Sequence, residues 1–357
     1  MRTWLKWLNV VWLWAMVPAL YAGNTPREVL NLNPSWKYSR GDDAGAARPA
    51  YDDSAWERVG LPHSFSIPYF MSKDFYVGYG WYRREVDLTA KQLKKKIFLE
   101  FDGVFQEAEV FVNGVRAGSH VGGYTGFSID ITLQARKGRN VIAVRVNNLW
   151  HPDRAPRAGE HVFSGGIYRN VRLVLKSPAY IDWYGTSVTT PDLAQNDGRS
   201  STVRVVTDLC NATGSEATFR LQTDVVDAEG RTVASVTVEQ PICWSPEQPY
   251  LYKVVSTLSR KGRVLDRTET VWGFRWMEWT ADKGFFLNGR HRKFQGVCNH
   301  HDLGPLGAAV NVAALRRQLT LLKDMGCDAI RTSHNMPAPE LVELCDEMGF
   351  MMMIEPF

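Results

Sequence analysis

The chain has 357 residues, enough for two or three domains, and its 45% hydrophobic and 22% charged residues are ordinary for a globular protein. The net charge of +4 is small and spread along the chain, so we predict no nucleic-acid partner. The five cysteines are too sparse for a disulfide scaffold.

The first 22 residues have the features of a signal peptide. Two basic residues precede an apolar stretch at 8–20, and small residues near Ala22 suit cleavage after that position. Asn9 and Pro18 interrupt the stretch, which disfavours a membrane-spanning helix, although an uncleaved anchor remains an alternative. We therefore expect an exported protein, periplasmic or extracellular, with no membrane span in its mature form.

Residues 23–178 contain short alternating segments separated by Gly, Pro and Asn. Residues 97–102 and 141–146 are rich in β-branched and aromatic side chains, as is typical of strands. Asn113-Gly114 predicts a hairpin with a type I′ turn, because both residue types adopt positive φ angles. Many short strands joined by such turns indicate a β-sandwich of the jelly-roll type.

Residues 179–277 form a second segment with strand periodicity. Residues 202–207 and 219–225 alternate along the chain, and about 100 residues can hold an immunoglobulin-like sandwich of roughly seven strands. Cys210 and Cys243 lie in this segment. Whether they pair depends on a strand register that the sequence does not give.

From residue 278 to residue 357 the apolar period changes from two to 3.6. One predicted helix starts at a cap from Asn311 and ends at Gly326, and a second helix ends at Gly349. Three apolar runs can form buried parallel strands, and they are Phe294–Val297, Ala329–Thr332 and Met351–Ile354. This alternation predicts the first three β/α units of a TIM (β/α)₈ barrel, whose full length is typically about 250 residues.

Hydrogen-bonding residues lie within or just after each predicted barrel strand, where a barrel builds its active site. His300 and His334 follow the first and second strands, Arg331 lies within the second, and Glu355 ends the third. His300, His301, Asp302 and His334 are also metal-ligand types, but their spacing matches no zinc motif. We therefore predict no metal site in this chain.

Several short sequence motifs along the chain resemble those of glycoside hydrolase family 2, the family of β-galactosidases and β-glucuronidases. They are Leu61-Pro62-His63, Gly78–Arg84, Gly165–Val171, Trp244–Tyr252, Gly273–Arg275 and Arg331-Thr332-Ser333-His334-Asn335. The resemblance covers nearly all of the mature chain. It implies a sugar-binding-type jelly roll at 23–178, an immunoglobulin-like sandwich at 179–277 and an incomplete catalytic barrel at 278–357.

The resemblance also implies the chemistry. A retaining glycosidase uses two carboxyl groups about 5–5.5 Å apart, and in this family both glutamates come from later barrel strands. We therefore expect the acid/base and the nucleophile after Phe357, and no catalytic residue within this chain. His300, His334, Asp302 and Asn335 match residues of the family that contact the sugar.

Three further residues have roles that the resemblance implies. Arg331 would orient the nucleophilic carboxylate through a charge-assisted pair. Glu355 would support the site, the alternative being a purely structural carboxylate. Glu160 would approach the site from the first domain, although a solvated loop carboxylate is the favoured interpretation there.

The predicted function is hydrolysis of terminal β-linked sugars by an exported enzyme, with a β-galactoside or related oligosaccharide as substrate. β-Glucuronidase and β-mannosidase activities remain alternatives, as does a catalytically inactive fragment that binds carbohydrate or takes part in assembly. We predict no cofactor in this chain, and Mg²⁺ only in a longer protein. The sequence predicts no particular oligomeric state.

Overall fold

The computed structural model describes residues 26–67, 75–154, 164–234 and 237–355. The predicted signal peptide, residues 1–22, and Glu160 lie outside the described residues. Within the described ranges, no helix has both the length and the apolar character that a bilayer span requires.

Two antiparallel sheets packed face to face form the first domain, as predicted for a jelly roll. The sheets have the strand orders β3-β2-β4-β9-β6-β7 and β1-β10-β5-β8. Their strands are β1 (Glu28–Asn31), β2 (Trp36–Arg40), β3 (Glu57–Val59), β4 (Tyr79–Leu88), β5 (Lys96–Phe101), β6 (Glu107–Val112), β7 (Val115–Val121), β8 (Phe127–Asp130), β9 (Gly138–Asn147) and β10 (Val171–Lys176).

Alternate residues of these strands fill the space between the two sheets. Trp36, Tyr82 and Phe101 are among the fully buried side chains of this core. The predicted hairpin is confirmed, since Asn113 and Gly114 join β6 to β7 with φ angles of 53° and 85°.

The second domain is a smaller antiparallel sandwich, as predicted. Its sheets are β15-β14-β17-β18, β11-β13 and β12-β16, around a core that includes Val254 and Phe274. Cys210 and Cys243 are both free thiols. The strands are β11 (Ala179–Thr189), β12 (Ser200–Thr202), β13 (Arg204–Asn211), β14 (Arg220–Val226), β15 (Thr232–Ala234), β16 (Thr237–Glu239), β17 (Tyr252–Arg260) and β18 (Arg263–Trp272).

The last part of the chain begins with a small antiparallel sheet and continues as β/α units. The sheet contains β19 (Met277–Thr280), β20 (Gly284–Leu287) and β21 (Arg290–Arg292). The β/α units contain β22 (Gly296–His300), α1 (Val312–Asp324), β23 (Ala329–Ser333), α2 (Pro339–Met348) and β24 (Met351–Ile354), and β22, β23 and β24 pair in parallel.

The predicted bounds of the first barrel strand, Phe294–Val297, are wrong. The strand begins at Gly296 and extends to His300, because Asn299 and His300 continue the parallel register opposite Thr332 and Ser333. Phe294 instead stacks on Phe285, with ring centroids 4.6 Å apart. His300 is therefore the last residue of the strand and does not follow it.

Both predicted helix ends are confirmed. Asn311 caps α1 by accepting a hydrogen bond from the Ala314 amide, and Gly326 follows that helix with a φ of 86°. Gly349 ends α2 with a φ of 75°. Leu319, Ile330 and other apolar residues pack the two helices against one face of the parallel sheet. That sheet is open, with three strands among the described residues.

Candidate active site

One face of the parallel sheet carries the predicted site residues, because side chains alternate between faces along each strand. In the register, Arg331 lies between Cys298 on β22 and Met353 on β24. The helices cover the opposite face, which holds Ile330. Cys298 and Met353 are exposed on the face away from the helices, which is the interior side of a barrel.

Two histidines meet at the carboxyl ends of β22 and β23. The rings of His300 and His334 are edge to face, with centroids 5.3 Å apart and an interplanar angle of 87°. His334 comes directly after β23, and its peptide bond with Ser333 is cis. The Nδ1 atom of His334 lies 2.8 Å from Oε2 of Glu355, the first residue after β24.

This short contact assigns the proton on one nitrogen of His334. An ionised carboxylate only accepts hydrogen bonds, so Nδ1–H of His334 donates to Glu355. The other ring nitrogen, Nε2, would accept a hydrogen bond from a ligand hydroxyl if the ring is neutral. It would donate one if the ring is protonated.

Arg331 connects the three strands through its guanidinium. It forms an ion pair with Oε1 of Glu355, and its Nη1 lies 3.3 Å from the Cys298 Sγ and 3.2 Å from the Ser333 Oγ. Its Nη2 lies 3.4 Å from Nδ1 of His334. The guanidinium is thus held by Cys298 on β22, Ser333 on β23 and Glu355 directly after β24, and Glu355 is its carboxylate partner among the described residues.

The charges of this group lower two pKa values. Burial alone would raise the pKa of Glu355, but the hydrogen bond with His334 and the contacts with Arg331 outweigh it, so that the pKa falls below its ordinary value. Hydrogen bonds from Arg331 and Ser333 also lower the pKa of the Cys298 thiol. Glu355 is therefore ionised at neutral pH and has no proton to donate, which fits a supporting role better than an acid role.

We call His300, Arg331, His334 and Glu355 the strand-end site. Two other predicted sugar contacts lie differently. Asp302 is exposed in the loop after β22, and its Oδ1 accepts a hydrogen bond of 2.6 Å from the Gly304 amide. Asn335 is only 3% exposed, in the turn between β23 and α2. The contacts described above therefore join four of the predicted residues. Asp302 lines a small pocket together with His300, and Asn335 is buried directly after His334.

Two neighbours of the strand-end site were missed from the sequence. Cys298 and Ser333 both contact Arg331. The alternation of side chains was the available signal, since Ser333 is two residues after Arg331 and Cys298 is two residues before His300.

Metal ligands are a separate matter. Among the residues that the structure describes, no group of three or more His, Cys, Asp or Glu side chains is arranged to hold a metal ion.

Comparison with known families identifies the class of this chain. Residues 32–178 match the sugar-binding domain of glycosyl hydrolases family 2, residues 180–275 match a further domain of that family, and residues 277–356 match its TIM barrel domain. The chain therefore belongs to glycosyl hydrolase family 2.

Individual relatives carry two kinds of names. The chain is 39% identical to the β-galactosidase BoGH2A of Bacteroides ovatus, over 93% of this chain and 42% of that protein. It is 32% identical to a putative β-glucuronidase of Formosa agariphila, over 95% of this chain and 34% of that protein. The chain thus spans less than half the length of these relatives.

A solved structure with the same architecture is Bacteroides uniformis β-glucuronidase 2 covalently bound to cyclophellitol-6-carboxylate aziridine. Its TM-score is 0.86 at 33% identity, and the match covers 92% of this chain and 42% of that chain. The β-glycosidase of Bacteroides vulgatus matches with a TM-score of 0.84 at 32% identity, over 92% of this chain and 44% of that one.

Proposed function

We propose that the intact protein is an exported glycosidase that hydrolyses terminal β-linked sugars with retention of configuration. The observation that carries this proposal is the meeting of His300, His334 and Arg331 with Glu355 at the carboxyl ends of adjacent parallel strands. This is the end of the sheet where barrel enzymes place their active sites. The family of the chain supports the same reaction class.

Each member of the strand-end site has a proposed task. His300 and His334 hydrogen-bond hydroxyl groups of the sugar, and these bonds promote catalysis to the extent that they strengthen in the oxocarbenium-like transition state. Arg331 presents N–H groups to the nucleophilic carboxylate, which comes from a strand after Phe357. Glu355 fixes Arg331 and His334 in place through its two oxygens.

We favour β-galactosides as substrates, with β-glucuronides as the second candidate. The support for the first is the 39% identity to a β-galactosidase, and the support for the second is the similarity to a solved β-glucuronidase. The test is hydrolysis of nitrophenyl β-galactoside, β-glucuronide and β-mannoside by the intact protein. The galactoside should give the highest kcat/KM, and a higher value for another sugar would replace our assignment.

The stereochemistry is tested on the same reaction. A retaining mechanism releases the β-anomer first, which NMR detects before the free sugar mutarotates. Initial release of the α-anomer would show inversion and would refute the proposed glycosyl-enzyme intermediate.

We further predict that the 357-residue chain alone does not turn over nitrophenyl glycosides, since both catalytic glutamates are expected after Phe357. Glu355→Gln and the surface control Glu216→Gln should therefore give the same null rate. Turnover by the chain that Glu355→Gln abolishes and Glu216→Gln leaves intact would overturn this placement of the chemistry.

Export is the remaining part of the proposal, and the basic and apolar start of the sequence supports it. Mass spectrometry of the mature protein should find Gly23 as its first residue. A mature protein that retains Met1 and the apolar stretch would contradict cleavage after Ala22.

A further inference from the structure

We propose that a cleft at the junction of the three domains is an accessory binding site for a neutral oligosaccharide. The cleft has a volume of about 240 Å³, and its walls come from all three parts of the chain. Tyr124 and Arg169 belong to the jelly roll, Trp183 and Tyr184 to the second domain, and Met336 to the turn after β23. We call it the junction cleft, and it adds a binding function beyond the proposed hydrolysis at the strand-end site.

A bulge in β11 puts two aromatic side chains at this cleft. Ile181 pairs with Leu209 and Thr186 with Thr207, so residues 182–185 of β11 stand opposite the single residue Asp208. Extra residues of this kind bend a strand and re-aim its side chains, and such bulges are over-represented beside functional sites. The bulge contains Trp183 and Tyr184.

The backbone of this bulge is strained. Tyr184 has a φ of 50°, a left-handed conformation that is rare for a bulky side chain. Strain of this kind persists where the surroundings enforce it, and it is concentrated at binding and catalytic sites. A glycine at this position would relieve the strain but would lose the phenol ring.

The two rings offer a surface for a sugar to stack on. Tyr184 is 72% exposed, and its ring centroid lies 4.8 Å from that of Trp183. A Cβ atom on Gly126 would lie 3.1 Å from Cη2 of Trp183, so the bare glycine lets the indole rest on the backbone of the jelly roll. Rigid aromatic side chains of this type supply apolar contact area together with a polar tip.

Polar groups surround the rings, as the hydroxyl groups of a sugar require. Beside the rings, Arg172 holds the buried carboxylate of Asp102 with two contacts of 2.8 Å. Thr125 and Asp182 are exposed at the rim. Apolar faces combined with a few oriented polar groups are typical of small-ligand sites.

The cleft continues into a larger groove, and the charge of that groove indicates the kind of sugar. The groove has a volume of about 790 Å³, lies between β11, β18 and α2, and shares Tyr184 and Met336 with the junction cleft. Its one basic side chain among the described lining residues, Arg27, is engaged by Asp266. The acidic residues that line it are Asp182, Glu269, Glu343, Asp346 and Glu347. Glu269 pairs with Arg267 and Glu347 pairs with Arg316, so the other three carboxyl groups supply the excess of acidic side chains.

This excess of carboxylates repels uronic acids, whose own carboxylates are ionised at neutral pH. A neutral chain such as a β-1,4-linked galactan fragment avoids this repulsion. The ligand class is therefore a neutral oligosaccharide of several residues.

Calorimetry with β-1,4-galactotetraose tests the site on the intact protein in a His334→Ala background, which weakens binding at the strand-end site. Trp183→Ala and Tyr184→Gly should each reduce affinity by about tenfold. Tyr184→Gly should leave the melting temperature unchanged or higher, since glycine accepts the left-handed φ. The matched control is Trp279→Ala, an indole that is 65% exposed at another place, and it should bind like the parent.

The calorimetric results test both the existence of the accessory site and its preference for neutral chains. No binding of the tetrasaccharide, or equal binding by folded Tyr184→Gly, would overturn the accessory site. Tetragalacturonate should bind at least about tenfold more weakly, and equal binding would overturn the preference for neutral chains. The readout needs no turnover, so a failure of the proposed glycosidase activity would be seen separately from a failure of this site.

Discussion

Glu355 is the residue on which the geometry of the strand-end site depends, because its two oxygens bind different partners. One oxygen pairs with Arg331 and the other accepts a hydrogen bond from His334. Removing one partner of such a network leaves the remaining groups unsatisfied, which costs more than the net strength of the bond. The position of His334 therefore depends on the third strand as well as on its own.

His63 makes the stability of the first domain depend on pH. The residue is 8% exposed, and its Nδ1 lies 2.8 Å from the Tyr82 hydroxyl. Burial, with a smaller effect of Arg40, lowers its pKa from 6.5 to about 4. The folded state therefore favours the neutral ring, and its contribution to stability is complete above pH 6.5 and is lost as the pH falls towards 4.

We predict that the free energy of unfolding loses on the order of 3 kcal/mol from this residue between those pH values. Urea unfolding at a series of pH values measures the effect. His63→Gln should reduce the fall in the free energy of unfolding between pH 6.5 and pH 4. The exposed control His291→Gln should leave that fall unchanged. An equal fall in the free energy of unfolding for His63→Gln and the parent would refute the assignment of this pH dependence to His63.

Two glycines show how single elements are fitted into the molecule. Gly326 after α1 and Gly349 after α2 both have left-handed φ angles. A Cβ on Gly326 would meet nothing within 4 Å, but a Cβ on Gly349 would clash with the carbonyl oxygen of Pro246 in the second domain. The backbone at Gly349 is therefore pressed against a neighbouring domain, whereas the position of Gly326 has free space around it. The last turn of α1 reaches the same carbonyl oxygen only through the Lys323 side chain, which donates a hydrogen bond of 3.1 Å to it.

Alanine substitutions at Gly326 and Gly349 separate the cost of a left-handed φ angle from the cost of the contact with Pro246. Gly326→Ala should cost about 1–2 kcal/mol, which is the cost of a left-handed residue with a Cβ. Gly349→Ala should cost at least about 2 kcal/mol more, because the Pro246 backbone has to move. Thermal unfolding measures both, and equal losses would show that the contact with the second domain does not constrain α2.

The elements also show what the sequence could and could not predict. The helix limits at Asn311, Gly326 and Gly349 were predicted correctly because local residue chemistry determines them. The hairpin at Asn113-Gly114 was predicted correctly for the same reason. The first barrel strand was misplaced because its register is set by a distant strand, where polar Asn299 and His300 pair with β23. Tertiary pairing overrode local hydrophobicity at that point.

The same distinction holds for the site. The residues of the strand-end site were predicted from their positions at strand ends and from the family resemblance. The structure brings them together because parallel strands end at one edge of the sheet. The contact between Glu355 and His334, and the junction cleft, depend on how strands and domains meet. No local pattern contains that information.

At the scale of the whole molecule, one segment of the jelly roll holds the barrel loops. Arg169 is 1% exposed and donates to the carbonyl oxygens of Met336 at 2.7 Å and Tyr124 at 3.0 Å. His334 lies two residues before Met336 in the same turn. By holding Met336, the first domain therefore helps to position the strand-end site. The Val310 amide donates to the Tyr168 carbonyl in the same contact.

Arg169→Met keeps most of the side-chain bulk and removes these donors. Each buried acceptor left without a donor costs about 1–3 kcal/mol, so the turn at residues 334–338 should open more often. Hydrogen exchange should show lost protection in that turn, with Arg136→Met, an exposed arginine, as the control. Unchanged exchange in the turn would mean that the first domain does not hold it.

The most direct test of the strand-end site is the kcat/KM of the intact protein and its His334→Ala variant on nitrophenyl β-galactoside. Loss of hydrogen bonds that strengthen in the transition state should lower kcat/KM by about a hundredfold or more. The melting temperature should fall only slightly, since Glu355 keeps its ion pair with Arg331. An unchanged kcat/KM in a folded His334→Ala protein would contradict the claim that these strand ends hold the sugar.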